Sequence, residues 1–203
     1  AEALSPSAPL FTDAPDNRVA ETRYGSVEAT QAAFDRAAHV VHLDIVNQRL
    51  AALSIEPRSV LAYPDHGRLH IRMSSQMPTG VRNTVSDLIG IDKEKVRVIV
   101  GDVGGGFGMK TGAYAEDVVT AYCAHTLNRP VKWIADRGEE FLSSSHGRDI
   151  ETKAAMAIDK DGKILGLKIE TLANVGAYPT MTGLAIQMMI GPVSYTHLRA
   201  HET

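Results

Sequence analysis

A mixed fold of helices and strands, of the α+β or α/β class, is what the sequence predicts, and three stretches carry that prediction. Val96-Arg97-Val98-Ile99-Val100 is an apolar β-branched run that leads into a glycine-rich loop at 101–110, and a helical pattern follows from about Ala113. Asp159-Lys160-Asp161-Gly162 is a strong hairpin turn between strand candidates at 152–158 and 163–172. From 78 to 88, Val81, Val85 and Leu88 recur at helical spacing, with Pro78 suited to a first turn and Gly90 placed to stop the helix. Helical and strand periods therefore coexist, and no internal repeat organises them.

The remaining elements follow in order. Residues 1–22 carry Pro6, Pro9 and Pro15 among Ser, Asp and Asn, and are expected to be a linker from an upstream domain. The alanine-rich 26–38 is a helix that Ser26 or a neighbour can cap, and 39–46 is a strand. Asn47-Gln48-Arg49 and Ser54-Ile55-Glu56-Pro57-Arg58 are polar segments, and Pro57 rules out a regular helix interior. Strands at 59–63 and 69–73 pair around Pro64-Asp65-His66-Gly67, and Ser74-Ser75-Gln76 ends the second. A helix over 114–127 puts Val118, Tyr122 and His125 on one side and ends before Arg129-Pro130; a short strand over 131–134 follows, and a further glycine-containing loop begins at 174–178.

Composition excludes several classes of function. The chain has 44% hydrophobic and 22% charged residues and a formal net charge of −3, without a Lys/Arg run, which argues against nucleic acid or an anionic membrane as its main partner. Small molecules and other proteins are the expected partners. No apolar run reaches membrane-spanning length, and no signal peptide opens the chain. The single cysteine, Cys123, permits neither a disulfide framework nor a cysteine metal cluster, which fits a reducing compartment. It sits mid-helix beside Tyr122 and Ala124 and is expected to be a small core residue.

The chemistry concentrates in Gly101-Asp102-Val103-Gly104-Gly105-Gly106-Phe107-Gly108-Met109-Lys110. Gly at four of the five positions 104–108 allows positive φ and close approach of a ligand to main-chain N–H groups. Phe107 must either plug a neighbouring core or lie against something bound. Met109 stands where a Rossmann fingerprint needs its third glycine, and again where a Walker loop needs the glycine before Lys110-Thr111, so both nucleotide motifs fail narrowly. A polar or anionic ligand near the following helix N-terminus, or a tight structural turn, remain the two readings of spacing alone. Other candidates are weaker. His39, His42, His66 and His70 are expected to be structural, Ser143-Ser144-Ser145-His146 is mere adjacency of serine and histidine, and Asp136-Arg137-Gly138-Glu139-Glu140 is expected to be a solvated, ion-paired turn.

Residues 193–203, Val193-Ser194-Tyr195-Thr196-His197-Leu198-Arg199-Ala200-His201-Glu202-Thr203, match neither the composition nor the periodicity before them. They resemble the translation of a transposon-type sequencing-library adaptor. The expectation is that native sequence ends near Gly191 or Pro192, and the His197/His201 spacing beside Glu202 is accordingly not read as a metal site.

Several stretches occur together in a fixed order: Asn47-Gln48-Arg49, Glu56-Pro57-Arg58, Ser74-Ser75-Gln76, the 103–110 loop, Arg129-Pro130-Val131, Asp136-Arg137, His146-Gly147-Arg148-Asp149 and Ala173-Asn174-Val175-Gly176-Ala177-Tyr178. This series resembles the molybdenum-binding large subunit of the xanthine dehydrogenase, aldehyde oxidase and aerobic carbon monoxide dehydrogenase family, closest to the carbon monoxide dehydrogenase-like branch. The resemblance implies an α+β fold, with 23–192 a partial molybdopterin-binding domain.

It also implies roles for individual residues. Gln76 matches the Gln beside the molybdenum oxo group, and an amide there can donate without being titratable. Phe107-Gly108 match the pair lining the metal and substrate pocket, and Gly104, Gly105 and Gly106 would let main-chain N–H groups meet the cofactor. The metal is expected to be held by the pterin dithiolene rather than by protein ligands, in the cytosine dinucleotide form of the cofactor.

The implied protein is a cytoplasmic oxidoreductase, a dimer of heterotrimers. It would insert water-derived oxygen into carbon monoxide, an aldehyde or an N-heterocycle, and pass electrons to a [2Fe-2S] small subunit and an FAD medium subunit. The family's base glutamate lies beyond this fragment, so no complete catalytic set is expected and the fragment alone should be inactive. Cys123 does not match the cysteine of carbon monoxide dehydrogenases, and Thr111 stands where purine-oxidising relatives carry a substrate-binding Glu. The alternatives are a non-catalytic nucleotide-binding module built on the 104–108 loop and a family-like subunit serving assembly.

Overall fold

The computed structural model describes residues 16–176 together with Pro9, Thr12 and Tyr178; residues 193–203 and most of the expected linker lie outside the described residues. In chain order the elements are α1 (Val27–Asp35), β1 (His39–Asn47), β2 (Leu50–Ala51), β3 (Ser59–Asp65), β4 (Arg68–Met73), α2 (Pro78–Ile89), a 3-10 turn (Lys93–Lys95), β5 (Val96–Ile99), α3 (Ala115–Leu127), β6 (Val131–Ile134), α4 (Arg137–Ser143), β7 (His146–Gly147), β8 (Ile150–Ile158) and β9 (Ile164–Ala173). They fall into two compact units, one of residues 16–50 with 148–176 and one of Ala51–Gly147.

The first unit is an antiparallel sheet in the order β1-β8-β9, with His39 opposite Ile158 and Ile150 opposite Ala173. Its hairpin turns at 159–162, where Gly162 takes φ +85° and Asp159 Oδ1 accepts from the N–H groups of Asp161 and Lys163. Helix α1 starts as expected at a serine cap, Ser26 Oγ accepting from Ala29 N. It packs so closely on β9 that a Cβ at Gly166 would lie 2.9 Å from that of Ala33.

The second unit holds the site. Its sheet runs β5-β4-β3-β6: β3 is antiparallel to β4 and to β6, while β5 returns parallel to β4 after α2. Alternation along the strands sends Val60, Ala62, Leu69, Ile71 and Val96 to one face, where they form a core with Val81 and Val85 of α2 and Ala121 and Ala124 of α3. At roughly 25 cal/mol per Å² of apolar surface, that burial is the main force closing the unit. Pro78 opens α2, and Gly90 ends it at φ +74°.

One expectation changes, and α3 settles a point that periodicity left open: its buried residues are Asp117, Thr120, Ala121 and Ala124, with Val118 packed partly buried against the core and Tyr122 and His125 exposed. The stretch expected to be a solvated turn is helix α4, capped by Asp136 Oδ1 on Glu139 N, with Glu140 fully buried.

Candidate functional site

The sheet delivers two segments to one edge of the second unit: Ser74-Ser75-Gln76 after β4 and the glycine loop after β5, which are parallel neighbours. The loop is pinned along its length. Met109 is buried, its N–H donates to Gly106 O at 2.8 Å, and its carbonyl accepts from Tyr114 Oη at 2.6 Å. Gln76 N donates to Lys110 O at 2.9 Å, while Gln76 Oε1 accepts from Gly108 N at 3.0 Å and Lys110 N at 3.2 Å.

Glu56 clasps the same loop from the other side. Its Oε2 accepts from Gly104 N at 2.7 Å and from Lys110 Nζ at 3.1 Å, its carbonyl also accepts from Lys110 Nζ at 2.9 Å, and its own N–H donates to Gly104 O at 3.1 Å. Burial pushes the Glu56 carboxyl upward, but the Gly104 N–H and the Lys110 ammonium more than offset it and hold the group below the ordinary glutamate range. Ser74 Oγ is buried without a hydrogen-bond partner among the described residues, yet lies close enough to Glu56 to favour the same ionised form.

This packing accounts for the glycines more directly than ligand approach does. A Cβ at Gly104 would lie 2.5 Å from Glu56 Cβ, and one at Gly106 would lie 2.6 Å from Gln76 Cδ and Oε1. Gly105 takes φ +105°, with Ser54 Cβ and Phe107 Cε2 each 3.0 Å from where its Cβ would be. Phe107 is not a core plug: it is 72% exposed, and its backbone sits at φ +51°, a left-handed conformation that costs a bulky residue roughly 1–2 kcal/mol. Strain held on an exposed aromatic points to a contact surface.

Helix α4 braces the Glu56 segment. Arg137 donates to Ser54 O, Ile55 O and Glu140 Oε2, and Glu140 Oε1 accepts from Arg58 N at 2.8 Å. The Arg58 guanidinium lies 3.8 Å from the Tyr114 ring centroid and donates to Ser143 Oγ and Ser144 Oγ, so those serines are structural acceptors. Asp117 Oδ2 accepts from Tyr114 N at 2.9 Å, and burial raises its carboxyl to about 6. This acidic group occupies the N-terminus of α3, where a nucleotide phosphate would otherwise sit.

Of the residues singled out from sequence, Gln76, Gly104, Gly105, Gly106, Phe107 and Gly108 come together here. Cys123 is half-buried in α3, and among the described residues no group of three His, Cys, Asp or Glu could hold a metal ion. Reasoning from sequence assigned no role to Glu56 or Arg58 and placed Arg137 and Glu140 in a solvated, ion-paired turn; the ion pair forms, but Glu140 is buried. The available signal was Pro57 locking an acid and a base into a non-helical segment.

The donors fit a polar or oxo-bearing group of molybdopterin type. Gly104 and Gly108 spend their N–H groups on Glu56 and Gln76, but those of Gly105, Gly106 and Phe107 have no partner among the described residues. With Gln76 Oε1 taken twice, its Nε2 is the outward end of an exposed amide, and a Cβ at Gly108 would meet nothing within 4 Å.

The family model described as the molybdopterin cofactor-binding domain matches residues 10–201. The chain is 34% identical over 176 residues to the 6-hydroxypseudooxynicotine dehydrogenase complex subunit gamma of Paenarthrobacter nicotinovorans, covering 83% of this chain and 22% of that one. It is 37% identical over 156 residues to the carbon monoxide dehydrogenase large chain of Hydrogenophaga pseudoflava, covering 76% and 19%. The solved structure of reconstituted CO dehydrogenase from Oligotropha carboxidovorans superposes with a TM-score of 0.69 at 35% identity, over 73% of this chain and 19% of that one. The chain thus spans about a fifth of the length of these two curated relatives.

Proposed function

Because the chain belongs to the molybdopterin cofactor-binding domain family, we propose that it is one wall of the cofactor pocket in the catalytic subunit of a molybdenum hydroxylase. The observation that carries this reading is the polarity of the loop edge: the N–H groups of Gly105, Gly106 and Phe107 and the Nε2 of Gln76 are donors without a hydrogen-bond partner among the described residues. When bound, the molybdenum cofactor supplies transfer of water-derived oxygen to the substrate and takes up its electrons. The chain's own part is to bind and orient. Gln76 donates to an acceptor atom of the cofactor, the loop N–H groups hold its polar edge, and Phe107 offers an apolar wall to a small substrate.

Finer parts of the reading belong to the intact protein. They are the cytosine dinucleotide form of the cofactor, a [2Fe-2S] small subunit and an FAD medium subunit in a dimer of heterotrimers, a cytoplasmic location, and carbon monoxide, an aldehyde or an N-heterocycle as substrate. Thr111 after Lys110 weighs against a purine. No helix of the described residues is long and apolar enough to cross a membrane.

In the purified intact protein, molybdenum and pterin are expected in near-stoichiometric amount. Gln76→Ala is expected to retain them while turnover falls by about 10²–10³, the usual cost of one positioned donor. Unchanged turnover at full molybdenum content refutes the role of Gln76. Titration with ATP or NAD separates the nucleotide-binding alternative, which specific tight binding would favour; the Asp117 carboxylate at the α3 N-terminus argues against it.

A further inference from the structure

We propose that Glu56 and Lys110 are positioning residues that set the direction in which Gln76 presents its amide. The inference rests on the reading of this loop as the cofactor wall and adds the device that makes that wall a donor.

A glutamine amide has two orientations of nearly equal shape, one presenting NH2 outward and one presenting the carbonyl. Here the choice is made by the loop. Gly108 N and Lys110 N both aim at Oε1, at 3.0 and 3.2 Å. Turning the amide over would place its NH2 against two N–H donors, losing both bonds and setting donor against donor. The outward face of Gln76 is therefore a donor for as long as those two N–H groups stay where they are.

What keeps them there is the Glu56–Lys110 pair. The Lys110 side chain is 1% exposed, and its ammonium bonds the Glu56 carbonyl and carboxylate; the same carboxylate oxygen holds Gly104 N. One glutamate thus ties the first residue of the 104–110 loop to its last. A half-buried, charge-assisted clasp of this kind has strict geometry. Glu56 is itself fixed from behind, by Ser54 Oγ on its carbonyl and by Arg137 on the carbonyls of Ser54 and Ile55. The chain of restraint runs from α4 through Arg137 to Glu56, across to Lys110, and along its backbone to Gln76.

The test uses the intact protein with its partner subunits, prepared with and without cofactor. In the cofactor-free form, hydrogen exchange of the 104–110 peptide in Glu56→Ala is expected to rise by about tenfold or more, because its closing bonds are gone. In the loaded form kcat is expected to fall by roughly 10²-fold, as for a misdirected catalytic contact, with KM within about twofold and molybdenum content retained. Glu56→Gln keeps an acceptor in the same shape and is expected to recover much of both losses. If Glu56→Ala fails to accumulate, Lys110→Met takes its place with the same expected readings.

Gln76→Glu isolates polarity. It still accepts both loop N–H groups but presents oxygen outward, and is expected to keep native exchange while losing turnover. Native exchange in Glu56→Ala and Lys110→Met, or native turnover in Gln76→Glu, overturns the proposal. A wild-type protein without molybdenum or pterin would instead refute the cofactor reading, and the exchange data would still report the clasp.

Discussion

Alanine at Gly106, Gly108 and Gly112 should give three different outcomes from one added methyl group, and the order follows from the geometry. At Gly112 a Cβ meets nothing within 4 Å and φ is not in the left-handed region, so the change should cost at most about 0.5 kcal/mol. At Gly108 space is also open, but φ is +86°, and an L side chain there carries on the order of 1–2 kcal/mol of strain. At Gly106 the Cβ would sit 2.6 Å from Gln76 Cδ and Oε1 and 2.8 Å from Cγ. An ordinary contact needs a retreat of about 0.8 Å, and the amide cannot swing away cheaply because Oε1 holds Gly108 N and Lys110 N. Losing both bonds costs about 1–3 kcal/mol, and it also removes Gln76 from its outward-facing position. Urea unfolding of the intact protein gives the stability order and steady-state turnover gives the functional one. Gly106→Ala should be worst on both scales. A Gly106→Ala protein as stable and active as Gly112→Ala would refute the claim that this glycine exists to admit Gln76.

Two further expectations concern Asp117 and Phe107. Burial lifts the Asp117 carboxyl from 3.8 to about 6, so the unfolded chain releases its proton near pH 4 while the folded protein keeps it to about pH 6. Stability should therefore fall as pH rises across that window and level off above it, a contribution on the order of 3 kcal/mol. Asp117→Asn should remove this part of the slope in denaturation series at several pH values; an unchanged slope contradicts the assignment to Asp117. Phe107→Gly should relieve the left-handed strain, raising stability by about 1 kcal/mol, while weakening substrate positioning. Unaltered Michaelis parameters would show that Phe107 is no pocket wall.

Much of this was legible in the sequence, for identifiable reasons. Period-two alternation in β3 and β4, Pro78 and Gly90 around α2, and the Asp159–Gly162 turn are local signals that packing reinforces rather than overrides. The glycine loop and Gln76 were found because glycine clusters and an ordered series of motifs survive without knowledge of the fold. The errors were tertiary. The charges of 136–140 suggest solvent, but Glu140 is buried because the N–H of the distant Arg58 and the guanidinium of Arg137 on its own helix supply its partners. The purpose of Gly104 and Gly106 lies in two side chains, Glu56 and Gln76, that are distant in sequence. The family match reaches residue 201, so reading the source DNA beyond codon 192 remains the direct check on the adaptor-like tail.

The most direct test of the central claim is a crystal structure of the intact, cofactor-loaded protein refined around Gln76. The expected result is Oε1 on the N–H groups of Gly108 and Lys110, Nε2 within hydrogen-bond distance of a cofactor atom, and cofactor acceptors on the N–H groups of Gly105, Gly106 or Phe107, which have no partner among the described residues. Cofactor density away from this loop edge, or a Gln76 amide facing only solvent, would contradict it.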